Sequence, residues 1–114
     1  MRSMEIPHGL AGRTFLIPPS DHVDYRVLEA NVAEDAPVPT GADVVVFSCV
    51  DAAGNPASFY ANCAAACAIP AVDIVNGSGP ELNPTQRYIP GVTAISLKAP
   101  AACIVMMAFY KVGD

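Results

Sequence analysis

Cys63 and Cys67 enclose three alanines, and His8 and His22 are the two histidines of the chain. Together they could supply a Cys2His2 set for zinc. A structural zinc site shows two tight ligand pairs, each a few residues apart. Here one pair is tight, and the histidines stand far apart in loop-like sequence. The sequence therefore predicts no metal site and no cofactor. Nucleophilic catalysis would need one of the cysteines Cys49, Cys63, Cys67 or Cys103 beside His8 or His22, and no strand–nucleophile–helix elbow is present. Asp21 with Asp24, and Glu34 with Asp35, are carboxylate pairs set in turn-forming sequence. Acid–base work requires a shielded site that splits the two pKa values, whereas carboxylates in exposed loops are solvated charges. Gly77-Ser78-Gly79 lacks the spacing of a phosphate-binding loop and precedes no helical pattern. Phe59-Tyr60 and Phe109-Tyr110 could stack on bases, but no basic residues interleave with them. The sequence thus predicts no catalytic residue.

The elements that would position these residues are short. The 114 residues include 11 Pro and 8 Gly, spread along the chain, which argues against long helices. The strand signal is clearest at residues 43–49 (DVVVFSC), rich in β-branched residues and bounded by turn formers. With residues 58–62 it reads as a hairpin around Gly54-Asn55-Pro56. Residues 14–17 and 72–75 are short strand candidates. Residues 25–32 favour a strand, with one helical turn as the alternative. Residues 33–40 (AEDAPVPT) read as a polar, Pro-rich connection, and residues 63–68 (CAAACA) fit neither period. Residues 76–84 (NGSGPELNP) carry the strongest loop signal. Residues 91–112 read as a closing hairpin about Lys98-Ala99-Pro100-Ala101.

Its second strand, residues 103–110 (CIVMMAFY), is apolar at every position. A strand with one wet face alternates apolar and polar side chains. Here Cys103, Val105, Met107 and Phe109 would cover one face, and Ile104, Met106, Ala108 and Tyr110 the other. The second face therefore needs a cover, from another layer or another subunit. Seven or so short strands with regular turn signals predict an all-β, β-sandwich or jelly-roll-like single domain. Residues 1–12 would be an irregular N-terminal arm, and residues 13–114 the domain.

The composition is 53% hydrophobic and 15% charged, against about 25% charged in an average soluble domain. Such a charge-poor surface suits burial against neighbours. Net charge is −5 and the six basic residues are scattered, so neither nucleic acid nor an anionic membrane surface is an expected partner. The longest apolar run, residues 99–110, is too short to span a bilayer. The start, MRSMEIPHGL, has no continuous apolar core of a signal peptide. The four cysteines are accordingly expected to be buried free thiols.

Residues 77–110 (GSGPELNPTQRYIPGVTAISLKAPAACIVMMAFY) carry a more specific pattern. A Gly-Ser-Gly-Pro-Glu-Leu-Asn-Pro turn precedes a Gly-Val-Thr hairpin start, and a closing apolar strand ends in Phe-Tyr. This resembles the C-terminal part of small, uncharacterised virion-associated proteins of tailed bacteriophages and prophages. Phe59-Tyr60, Ile69-Pro70 and Asp73 fit the same pattern, so the resemblance covers residues 43–112. The Ala64-Ala65-Ala66 run and the four cysteines depart from it. The resemblance implies a virion structural protein of the head or tail and carries no catalytic residues to transfer.

The expectation is therefore a non-enzymatic virion protein, assembled in the bacterial host cytoplasm. A capsid decoration or cement protein bridging neighbouring subunits comes first, and a tail or connector component second. Partners would be the major capsid protein or tail subunits, together with further copies in a homo-oligomer such as a trimer. The residues expected to matter are structural. Asn83 and Pro84 shape the loop, Gly91 permits the hairpin start, and Ile104, Met106 and Tyr110 form the face that needs a partner. A small carbohydrate- or ligand-binding β-module is the rival from another class, although the chain has no Trp and four Tyr for an aromatic platform. A metal-dependent jelly-roll enzyme would need a histidine triad that two histidines do not supply.

Overall fold

The computed structural model describes residues 1–4 and 18–112. These form an all-β sandwich of nine strands: β1 (Ser3–Met4), β2 (Val23–Leu28), β3 (Glu34–Pro37), β4 (Val44–Val50), β5 (Tyr60–Asn62), β6 (Glu81–Leu82), β7 (Gln86–Tyr88), β8 (Ala94–Lys98) and β9 (Cys103–Val112). In the five-stranded sheet β9 lies between β4 on one side and both β2 and β1 on the other, and β7 lies beyond β4. All its pairings are antiparallel except that of β1 with β9. The four-stranded sheet is antiparallel, in the order β3-β8-β5-β6.

The core lies between the sheets. β4 and β9 pair from Val44 opposite Tyr110 to Val50 opposite Ile104. This register turns Val45, Phe47, Val105, Met107 and Phe109 inward, where they meet Ile95, Leu97 and Ala99. The Phe47 and Phe59 rings lie 5.5 Å apart. Burial of each large apolar side chain contributes about 1.5–3 kcal/mol. At each open margin an arginine of one sheet reaches a glutamate of the other. Arg26 Nη1 lies 3.2 Å from Glu34 Oε1, and Arg87 Nε lies 2.6 Å from Glu81 Oε2. Both pairs are partly exposed, so each contributes about 1 kcal/mol at most.

Several local expectations are corrected. Residues 91–112 are not a hairpin, because β8 and β9 belong to different sheets. The same holds for β4 and β5; a hairpin merely begins there, with the Val50–Pro56 bridge and the Asp51–Asn55 and Ala57–Cys49 backbone hydrogen bonds. A turn signal marks where the chain reverses, not whether it returns to the same sheet. Residues 34–37, expected as connection, form edge strand β3 against β8, and the expected loop at 76–84 includes β6. Residues 72–75 form no strand and lie exposed. The expected strand at 25–32 is present in its first half as β2, which starts earlier, at Val23, and ends at Leu28; residues 29–32 lie outside any strand. The candidate strand at 14–17, and residues 5–12 of the expected arm, lie outside the described residues.

Candidate functional site: the outer face of the five-stranded sheet

The register that buries the inner residues of β9 sends Ile104, Met106, Ala108 and Tyr110 to the outer face. There they stand beside Val23, Tyr25 and Val27 of β2, Val44, Val46 and Val50 of β4, and Tyr88 of β7. One end of this face is closed within the chain. Val44, Ala108 and Tyr110 are buried, and the Tyr110 hydroxyl donates to the Pro18 carbonyl at 2.7 Å. Nearby, the Ser20 hydroxyl lies 2.9 Å from the Phe109 carbonyl and 3.0 Å from that of His22.

Among the described residues the rest of the face is open. Tyr25, Val27 and Tyr88 are 64%, 70% and 69% exposed. Ile104 and Met106 are half-buried between them. Exposed valine and tyrosine thus stand beside half-buried isoleucine and methionine, an apolar face that the described residues leave uncovered. Of the three residues expected to need a partner, Ile104 and Met106 retain open surface, whereas Tyr110 is covered within the chain. Sequence reading did not single out β2, whose Val23, Tyr25 and Val27 widen the face; their alternation with Asp24 and Arg26 was the available signal.

Asn83, Pro84 and Gly91 lie away from this face. Asn83 sits at φ +50°. Its Oδ1 accepts the Phe59 N–H at 2.9 Å, its own N–H donates to the Phe59 carbonyl at 2.9 Å, and Nδ2 donates to Ser58 Oγ at 3.3 Å. It thus locks the approach to β5 onto the end of β6. Pro84 is buried beside it. Gly91, at φ +79°, takes the third position of a turn closed by the Val92 N–H on the Ile89 carbonyl at 3.1 Å. Pro90 before it makes this the Pro-Gly pattern of a type II turn. It carries the chain from one sheet to the other and starts no hairpin.

Other features offer less. A cleft of about 160 Å³ lies near Val45, Phe47, Ala61, Pro84, Glu81 and Arg87, and its two charged side chains neutralise each other. No three His, Cys, Asp or Glu side chains converge among the described residues. All four cysteines are free; Cys67 and Cys103 are buried, Cys49 half-buried and Cys63 exposed. The expectation of buried thiols therefore fails at Cys63, which sits in the loop after β5, where the Ala64 and Ala65 N–H groups donate to Asn62 Oδ1 and the Cys67 N–H donates to Ser96 Oγ. Burial pushes the Cys49 thiol up to about 12, with the hydrogen bond and charge of Cys103 adding to it. Partial desolvation also raises Cys63, with the charge of Glu81 adding to it, and burial raises Cys67 against the opposing charge of Lys98. Thiols held protonated are weak nucleophiles. No described helix is long and apolar enough to cross a membrane. Searches of family models, curated proteins and solved structures found no match to the chain.

Proposed function

We propose that the chain is a non-enzymatic structural subunit of a tailed-bacteriophage particle, first a capsid decoration or cement protein and next a tail or connector component. The observation that carries the proposal is the open apolar face built from β2, β9, β4 and β7, with Tyr25, Val27 and Tyr88 largely exposed. A subunit that docks on a lattice of neighbours needs such a face. Modest contacts repeated over many copies hold through multivalency. The ELNP, GVT and terminal Phe-Tyr pattern supports the particle context. Assembly would proceed by burial of this face against capsid or tail subunits and against further copies of the chain.

The test is particle association. An epitope-tagged copy is expressed in a strain producing phage from the genome that encodes it, and particles are banded on a density gradient. The proposal expects the tagged chain in the particle band at fixed stoichiometry, lost on Tyr88→Asp. Particles free of the chain would overturn it. A soluble monomer with a saturable sugar site would instead favour the ligand-binding module.

A further inference from the structure

We infer that two copies of the chain pair through the edge of β2 that no other described strand occupies, antiparallel and centred on Tyr25, to give a two-fold dimer. The inference rests on the homo-oligomeric part of the function proposed above and names its surface and symmetry. Among the described residues β2 pairs with β9 alone. The Phe109 N–H donates to the His22 carbonyl at 3.0 Å, which sets the phase of the ladder. Antiparallel pairs alternate between bonded and non-bonded positions. Asp24 and Arg26 therefore bond to β9, and Val23, Tyr25 and Val27 turn their N–H and carbonyl groups to the open edge. An edge of this kind is a template for another strand.

The side chains specify which strand and which register. Val23-Asp24-Tyr25-Arg26-Val27 reads the same from either end in its chemistry: apolar, charged, aromatic, opposite charge, apolar. With Tyr25 opposite its own copy, Val23 meets Val27, and Asp24 meets Arg26 twice. Centring the pairing on Asp24 sets carboxylate against carboxylate, and centring it on Arg26 sets guanidinium against guanidinium. Like charges directly opposite are destabilising and unlike charges favourable, so one register is selected. Both charged groups are available: their side chains are 44% and 33% exposed. Arg26 engages Glu34 through Nη1, and Asp24 lies 3.6 Å from His22 Nε2. Beyond the strand the register would bring Asp21 toward Glu29, but Asp21 Oδ1 accepts from the Arg2 N–H at 3.0 Å and lies 3.6 Å from the terminal ammonium.

A self-complementary strand fits an isologous two-fold contact, in which the same patch serves both partners. The pairing joins two five-stranded sheets edge to edge and merges their apolar outer faces into one. It gives a dimer as the homo-oligomer, in place of the trimer offered as an example above.

The experiment is sedimentation over a concentration series, with circular dichroism to verify folding. The wild-type chain is expected to dimerise. Asp24→Arg leaves only cations in the charged row and Arg26→Asp only anions, so each variant should dimerise at least about tenfold more weakly. Mixed one to one, the two variants should recover dimer. The double variant Asp24→Arg/Arg26→Asp should recover it alone. In case a variant fails to fold, hydrogen exchange on the wild type reads the same contact, with amide protection of Val23, Tyr25 and Val27 rising with protein concentration. A wild-type monomer at all concentrations, a dimer indifferent to the swaps, or a mixture that stays monomeric would overturn the inference. A chain that joins particles yet never pairs through β2 would overturn this interface and leave the particle reading intact.

Discussion

The two outer faces of the sandwich differ in what their own sequence asks for. On the four-stranded sheet, β8 alternates: Ile95 and Leu97 point to the core, and Ser96 and Lys98 point out. Ser96 is buried there because its hydroxyl accepts the Cys67 N–H at 2.8 Å, which brings Cys67 down onto the sheet. Asp35 and Asn62 flank Ser96 in register. That face is polar around Ser96, where its own chain covers it, and turns apolar only at its β6 end, where Leu82 stands exposed opposite Tyr60. On the five-stranded sheet, β9 is apolar on both sides, and the described residues close only the end around Tyr110. The difference teaches where this molecule has surplus apolar surface. A polar outer face is satisfied by water and one hydrogen-bonded loop, whereas an apolar one gains free energy from any partner that covers it.

The edges repeat the contrast. β3 carries Glu34, Asp35 and Pro37, which are charges and a proline of the kind that discourages strand addition. β2 carries no proline, and its one acid and one base stand symmetrically about Tyr25.

The sharpest way to break the comparison is to remove a core residue that both faces depend on. Phe109→Ala, at a fully buried position of β9, is expected to cost about 3–5 kcal/mol in urea unfolding. Ser96→Val tests the settled face. It leaves the Cys67 N–H without its acceptor and should cost about 1–3 kcal/mol, with faster alkylation of Cys67 in the folded protein. Tyr110→Phe, at the closed end of the open face, removes one hydrogen bond and should cost about 1 kcal/mol. Tyr88→Ser, on the open part, should leave monomer stability within about 0.5 kcal/mol while weakening assembly by light scattering. Equal losses for Tyr88→Ser and Phe109→Ala would erase the distinction between face and core.

The pH dependence sharpens the same picture at the inner margin. The Cys49 thiol is raised from 9.0 to about 12 in the folded protein, chiefly by burial. The folded state then holds a proton that the unfolded state releases. Its contribution to stability is fully present below about pH 9 and is lost as pH rises toward 12. The urea midpoint should fall across that window, and less steeply in Cys49→Ala. An identical slope in the variant would place the alkaline loss elsewhere.

Much of this was legible in the chain. The alternation in β8, the β-branched run of β4 and the two-faced β9 each follow from side-chain period alone, as does the all-β class. Asn83 and Gly91 stand in turn sequences that any reading would mark. The misreadings concern partners. AEDAPVPT carries no strand pattern, yet residues 34–37 pair because the edge of β8 lies beside them. VDIV has a strand composition and remains exposed loop, since no described strand pairs with it.

By itself, then, the sequence determined the secondary-structure class, the inward-facing residues and the existence of an apolar face in excess of one core. These depend on the local two-residue period and on turn chemistry. Only the tertiary structure decided that consecutive strands cross between sheets, that Pro18 covers Tyr110, and that β2 lies at an edge with Tyr25 turned outward. Those facts depend on which distant segments meet, and pairing between strands is set by the packing of the whole chain, which no local pattern encodes.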